Sequence, residues 1–249
     1  MYPVLFRIGT FEITSFGVLV ALGALAGLWV FRREIARSGL PDEAMDAAIY
    51  GLVGGLLGAK LLYVFEHLDE GTFFSLLFDR GGMSWFGGFV GGLLAGYVTI
   101  RVKRWPVVTV LAAATPALAV GQLLGRIGCF LVGDDYGHPT SLPWGVAFPQ
   151  GLPPTTERVH PTQIYEAVFL GVFTWLLIRW RRAGVADRVV LGRYFVGVGA
   201  FRFALEFLRV NVRVLGPLTV AHMFAFAVIL LGVLLLATRG RRTSRAKSG

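Results

Sequence analysis

PVVTVLAAATPALAVGQLL, Pro106–Leu124, holds no charged residue over its whole length. A run of about 18 or more apolar residues is long enough to cross the hydrocarbon core as a helix. Arg101, Lys103 and Arg104 precede the run, and GRIGCFLVGDD, Gly125–Asp135, follows it. A helix that enters from a basic end and leaves beside an arginine, a cysteine and two aspartates puts costly polar groups at the edge of a bilayer. The rest of the chain is read outward from that contrast.

Six further runs resemble the first: Ile13–Phe31, Ala47–Phe65, Ser84–Ile100, Gln163–Trp180, Val189–Leu208 and Leu218–Ala237. The expected fold is therefore all-α, a polytopic membrane protein with seven transmembrane helices. Composition agrees: 55% of the 249 residues are hydrophobic and 16% are charged, against roughly a quarter charged in soluble domains. The first run is too long for a cleavable signal peptide, and Phe31-Arg32-Arg33-Glu34 stands where small residues would be required.

The net charge of +9 does not point to nucleic acid, because the basic residues are segregated. Arg32, Arg33 and Arg37 follow run one, and Arg101, Lys103 and Arg104 follow run three. Arg179, Arg181, Arg182 and Arg188 follow run five, and Arg239, Arg241, Arg242, Arg245 and Lys247 follow run seven. Alternate connections hold few. The positive-inside rule then places the N-terminus outside and the C-terminus in the cytoplasm. The expected organisation is one transmembrane domain over 1–238, external loops at 67–83 and 133–162, and a basic cytoplasmic tail at 239–249. The tail reads either as a topology signal or as a contact for anionic headgroups.

With depth assigned, the awkward polar groups converge on the outer leaflet. Arg126 lies near the outer end of run four, Arg202 and Glu206 in the outer half of run six. His160, Gln163, Tyr165 and Glu166 stand at the mouth of run five, His222 one turn into run seven, and Ser84 at the start of run three. Charges inside spans mark functional sites by default. Arg202, Glu206 and Arg209 are spaced to line one helix face. They read either as a helix staple with Arg209 snorkelling or, joined by Arg126, as a guanidinium grip with spare positive charge for a phosphate. His160 and His222 read as general bases or as hydrogen-bonded structural groups. The Asp134-Asp135 pair reads as a polar turn or as a contributor to the site, and Cys129, the only cysteine, as a small apolar residue. The glycines at 51, 54, 55, 58, 87, 88, 91, 92 and 96 are a packing signal that lets helices approach closely. No metal-ligand cluster or nucleotide loop stands out, so no cofactor is expected. A retinal protein would need a lysine in Leu218–Ala237, which has none.

Four segments resemble the prolipoprotein diacylglyceryl transferases: GGMSWFGGFVGG (Gly81–Gly92), GRIGCFLVGDDYG (Gly125–Gly137), VHPTQIYE (Val159–Glu166) and GVGAFRFALEFLR (Gly197–Arg209). They occur in the family order. The resemblance implies transfer of the diacylglyceryl group of phosphatidylglycerol to the lipobox cysteine of a preprolipoprotein, carried by its signal peptide, with release of glycerol phosphate. It implies a bacterial inner-membrane location with the active site facing the outer leaflet. It implies catalytic roles for Arg126, Arg202, Glu206 and Asp134, with His222 or His160 as alternative bases. Gly137, Gln163, Tyr165, Glu166, Arg209, Ser84, Gly87 and Gly88 are the expected substrate contacts. This chain departs from the family pattern at Phe86, where a histidine is usual, and at Cys129, Val132, Val198, Phe16 and His222. An alternative therefore stays open: a divergent paralogue that binds anionic phospholipid but uses another acceptor or is inactive.

Overall fold

The computed structural model describes residues 3–9, 11–79 and 81–238. Arg80 and the basic tail 239–249 lie outside the described residues. The chain is mostly helical, and among the described residues seven helices of 18 residues or more coincide with the seven apolar runs. They are α1 (Ser15–Arg37), α2 (Asp46–Glu66), α4 (Trp85–Val102), α5 (Val107–Val132), α6 (Thr162–Arg182), α7 (Asp187–Glu206) and α8 (Val220–Ala237). A short α3 (Phe73–Phe78) lies in the connection before α4. Five of the long helices, all but α6 and α7, are long and apolar enough to cross a membrane. α6 and α7 fall short because they carry the polar groups described below and basic ends.

The helical expectation holds, and among the described residues the connections add short hairpins. Three antiparallel hairpins are present: β1 (Val4–Ile8) with β2 (Phe11–Thr14), β3 (Val146–Phe148) with β4 (Thr155–Val159), and β5 (Arg213–Leu215) with β6 (Leu218–Thr219). Each is too short to show the alternating pattern that reveals a strand in sequence. Two other boundaries shift. α5 runs on to Val132, so Arg126 and Cys129 sit inside the helix and not in the loop beyond it. α7 ends at Glu206, so Arg209 does not share its helical face with Arg202; it lies just past the turn that follows, bridged to Gly137.

The described residues form two compact units, Leu28–Ala113 and the remainder. In the first, α2 and α4 pack backbone on backbone. A Cβ on Gly58 would run into the carbonyl oxygen of Gly87, and one on Gly54 would come within 2.8 Å of the Gly91 oxygen. Glycine is required there because nothing on the opposite side can move. The Lys60 ammonium donates to the carbonyls of Asp79 and Gly81, at 2.8 and 2.7 Å, and so ties α2 to the loop before α4. The outer faces of both helices present Leu56, Leu57, Phe65, Leu93 and Leu94 without protein cover.

In the second unit, α7 and α8 cross at Gly192 and Gly232, where each glycine faces the other's backbone. α1 meets α5 where Gly23 lies against the Gly121 carbonyl and Phe16 against Gly128. Between α6 and α7 lies a core of Leu170, Phe173, Leu177, Val190 and Tyr194, with Ala119 of α5. Phe169 stacks on Phe201 at 4.0 Å between centroids, one residue from Arg202. That stack and core set the height of the α6 start against the end of α7, where the charged residues gather.

Candidate functional site

Ion pairs join three arginines and three carboxylates into one chain: Glu166, Arg126, Asp135, Arg209, Glu206, Arg202. Arg126 reaches Glu166 Oε2 with Nε at 3.0 Å and Asp135 Oδ2 with Nη1 at 2.8 Å. The other Asp135 oxygen takes Nη2 of Arg209. Arg209 Nε lies 4.0 Å from Glu206 Oε2, and Arg202 Nη2 lies 2.9 Å from the same atom. Arg202 is also near enough to feel the charges of Glu166 and Arg126. The two arginines expected to meet are thus members of one cluster. Sequence reasoning expected spare positive charge; three carboxylates balance three guanidiniums. Arg209, read either as a snorkelling cation or as a substrate contact, is buried and faces Asp135 and Glu206.

The double aspartate is held by its backbone. Gly133 and Asp135 both adopt positive φ, at 78° and 59°, a conformation that glycine and, less readily, aspartate or asparagine accept. At the start of α6, Thr162 Oγ1 donates to the Asp135 carbonyl at 2.7 Å, and Gln163 Nε2 donates to the Asp134 carbonyl. Both side chains are almost wholly buried. Gly137 closes the turn. Its N–H donates to the His160 carbonyl at 2.9 Å, and the His138 N–H donates to the Leu208 carbonyl at 2.8 Å. A Cβ on Gly137 would collide with that Leu208 oxygen and with His160 and Thr162, so glycine there is a matter of space.

The two aspartates differ electrostatically. Burial acts to raise the Asp135 carboxyl, but the guanidiniums of Arg209 and Arg126 outweigh it and hold Asp135 below its usual range. Asp134 is pushed up, chiefly by burial and also by the neighbouring Asp135 charge. One oxygen of Asp134, Oδ1, is buried without a hydrogen-bond partner, and the Cys129 thiol lies close to the carboxyl. Cys129, Asp134 and Asp135 bring one potential metal-ligand atom each within 4.8 Å of one another. Both Asp135 oxygens are already committed to guanidiniums, so this group is built for ion pairing.

Glu206 is buried at the end of α7. Its Oε1 accepts from Thr219 Oγ1 and from Asn211 Nδ2, each at 2.7 Å. Thr219 caps α8: its hydroxyl accepts from the His222 N–H at 3.4 Å, and His222 Nδ1 accepts from the Thr219 N–H at 3.1 Å. That acceptor role leaves the imidazole proton on Nε2, which is buried beside the rings of Phe203 and Phe207. His160 Nδ1 lies 3.3 Å from the Tyr165 hydroxyl, which accepts from Trp144 Nε1 at 2.7 Å. Ser84, Gly87 and Gly88 belong to the Leu28–Ala113 unit. There the Ser84 N–H donates to the Ala59 carbonyl, and the glycines pack on α2.

The structure thus brings Arg126, Arg202, Glu206, Asp134, Gly137, Gln163, Glu166 and Arg209 into one network. It joins His160 to Tyr165, and His222 to the network through Thr219. Sequence reasoning left Asp135 open, as half of a polar turn or a contributor to the site, and missed Thr162, Asn211 and Thr219. Thr219 and His222, three apart before an apolar run, carry the spacing of a reciprocal helix cap. Thr162 and Asn211 have no local signature.

Helices long and apolar enough to cross a membrane, and a buried cluster of paired charges that leaves one guanidinium nitrogen, Arg202 Nη1, without a partner, define the class: a membrane protein with a buried polar cluster. The prolipoprotein diacylglyceryl transferase family model matches residues 3–238, and the chain belongs to that family. Among its relatives, the phosphatidylglycerol–prolipoprotein diacylglyceryl transferase of Geobacter sulfurreducens is 36% identical over 258 residues, 96% of each chain. The protein of that name from Clostridium tetani is 33% identical over 240 residues, 94% of this chain and 96% of its own. That of Thermotoga maritima is 33% identical over 242 residues, 92% of this chain and 81% of its own.

Proposed function

We propose that this chain transfers the diacylglyceryl group of phosphatidylglycerol to the lipobox cysteine of a preprolipoprotein. The sulfur attacks the glycerol C3 carbon, the bond from that carbon to the phosphate oxygen breaks, and its electron pair leaves with glycerol phosphate. The thiol proton goes to the enzyme. Negative charge builds on the departing phosphate, and fixed cations in a water-poor site are the strongest stabilisation a protein offers it.

One observation carries this reading: the unbroken guanidinium–carboxylate chain ends in a buried Arg202 nitrogen with no partner of its own. Arg126 and Arg202 hold the phosphate. Glu206 orients Arg202, and Arg209 and Glu166 complete the cradle. Gly137, Gln163 and Tyr165 shape the headgroup site. Asp134 receives the thiol proton: it has an open oxygen, and its carboxyl binds a proton more readily than usual. His160 is the alternative acceptor. His222 has its Nδ1 engaged in the cap and acts through Thr219.

The site faces the outer leaflet of the bacterial inner membrane, where a secreted acceptor arrives. Seven helices span the membrane as one transferase domain over 1–238, with the N-terminus, 67–83 and 133–162 outside and the tail 239–249 in the cytoplasm. Arginines lie over aromatic rings one turn earlier at the basic ends of α1, α4 and α6: Arg33 on Trp29, Arg101 on Tyr97, Arg179 on Trp175. Such pairs suit the membrane interface.

The test is complementation of a strain depleted of its own transferase, with label from phosphatidylglycerol followed into a lipobox substrate. Growth and labelling are expected. Phe86, in place of the family histidine, favours one rival, a paralogue with another acceptor or none. A chain present in the membrane that binds phosphatidylglycerol but labels no prolipoprotein would establish that rival.

A further inference from the structure

Asn211 has no part in the scheme above and Thr219 enters it only as the link to His222, yet both donate to one oxygen of the buried carboxylate that orients Arg202. They are eight positions apart in sequence, and the β5–β6 hairpin brings them together: Arg213 pairs with Thr219 and Leu215 with Leu218, and Gly216 turns the chain at positive φ. Both distances to Glu206 Oε1 are 2.7 Å. Oε1 is thereby satisfied by neutral donors, and Oε2 faces the guanidiniums of Arg202 and Arg209. Rotation about the terminal torsion of Glu206 would break the pattern at both oxygens. The Thr219 hydroxyl lies 2.7 Å from Glu206 Oε1 and 3.2 Å from His222 Nδ1, and because the Nδ1 lone pair already receives the Thr219 N–H, the hydroxyl proton goes to the shorter contact, Glu206. The cap of α8 therefore aims the hydroxyl at Glu206.

We propose that Asn211 and Thr219 are positioning residues for the transfer reaction, locking the Glu206 carboxylate so that Arg202 stays aimed at the lipid phosphate. Neither needs to touch substrate. The inference rests on the transferase reading for its kinetic consequence, though not for its geometry. A hydrogen bond to a charged group contributes enough that losing one costs roughly tenfold to a hundredfold in rate. The loss should fall on kcat, because Arg202 matters most when charge develops on the phosphate.

The experiment uses the full chain in nanodiscs containing dioleoylphosphatidylglycerol, with a synthetic lipobox peptide as acceptor. Thr219→Val and Asn211→Leu are each expected to lower kcat roughly tenfold to a hundredfold while KM for the lipid changes less than about threefold. Thr219→Ser, which keeps both the cap and the donor, is expected to restore kcat. Asn211 caps no helix, so Asn211→Leu separates the clamp from α8 stability, read as the melting temperature. Phenylglyoxal labelling of Arg202, read by peptide mass spectrometry, should rise in Thr219→Val and Asn211→Leu and return to the parent level in Thr219→Ser. Unchanged Arg202 labelling in the first two variants overturns the clamp, as does a Thr219→Ser variant no better than Thr219→Val. If the unaltered chain transfers nothing, the transferase reading falls, and the labelling pattern still decides the clamp.

Discussion

Asp135→Asn tests the charge chain at its centre. Asp135 joins Arg126 to Arg209, and its side chain is 43% exposed. Asparagine accepts the positive φ of 59° at this position about as well as aspartate does, so the substitution removes charge without straining the backbone. A hydrogen bond to a charged group contributes about 1.5–3 kcal/mol when shielded, and exposed ion pairs about 0–1 kcal/mol. With Asp135 between those limits, two pairs at about 1 kcal/mol each give a loss near 2 kcal/mol. That is ~30-fold in kcat/KM. The direction of the split is more telling. Removing one carboxylate leaves an excess positive charge, so phosphatidylglycerol should bind at least as tightly while the guanidiniums are less well aimed. The expectation is kcat down ~30-fold with KM unchanged or lower. Steady-state assays in phosphatidylglycerol nanodiscs measure both constants. A kcat within about threefold of the parent, in a folded variant, would refute the idea that this carboxylate aligns the arginines.

Arg202→Lys keeps the charge but not the fork, so it cannot hold Glu206 while presenting a second nitrogen to phosphate; a loss of about 10²–10³ in kcat is expected in the same assay. For Asp134, burial raises the carboxyl above its usual 3.8, and only the ionised form accepts a proton. Transfer should therefore fall as pH drops through that raised value, and Asp134→Asn should be slow and lack this acid limb, checked by kcat/KM against pH. Asp135 is lowered below 3.8. It thus contributes stability above that value and loses it as pH falls through its depressed pKa, so in thermal melts taken below about pH 4 the parent should approach the stability of Asp135→Asn. Gly58→Val drives a side chain into the Gly87 carbonyl; a cost of about 1–3 kcal/mol is expected as a lower melting temperature in detergent.

Much of this protein was legible in one dimension. Apolar runs set where the seven long helices lie, because length and hydropathy act locally. The glycine series in Ala47–Phe65 and Ser84–Ile100 pointed to close helix packing, and α2 and α4 meet through those residues. Arg126, Arg202 and Glu206 were legible as candidates because a charge within an apolar run is costly to bury in a bilayer and so stands out. The hairpins were not legible, since strands of two to five residues carry no usable period.

Tertiary structure alone decided how the polar groups pair. Asp135 looked like half of a polar turn, and its importance comes from Arg126 and Arg209 arriving from either side. Arg209 looked like a snorkelling cation until the helix stopped at Glu206 and the chain turned back. Asn211 and Thr219 share one carboxylate oxygen only because a hairpin closes between them. Helix formation follows from neighbours three and four positions away, which the sequence displays. The partner of a buried charge is chosen by whichever distant segment the fold delivers within 3 Å or so, and no local pattern records that choice.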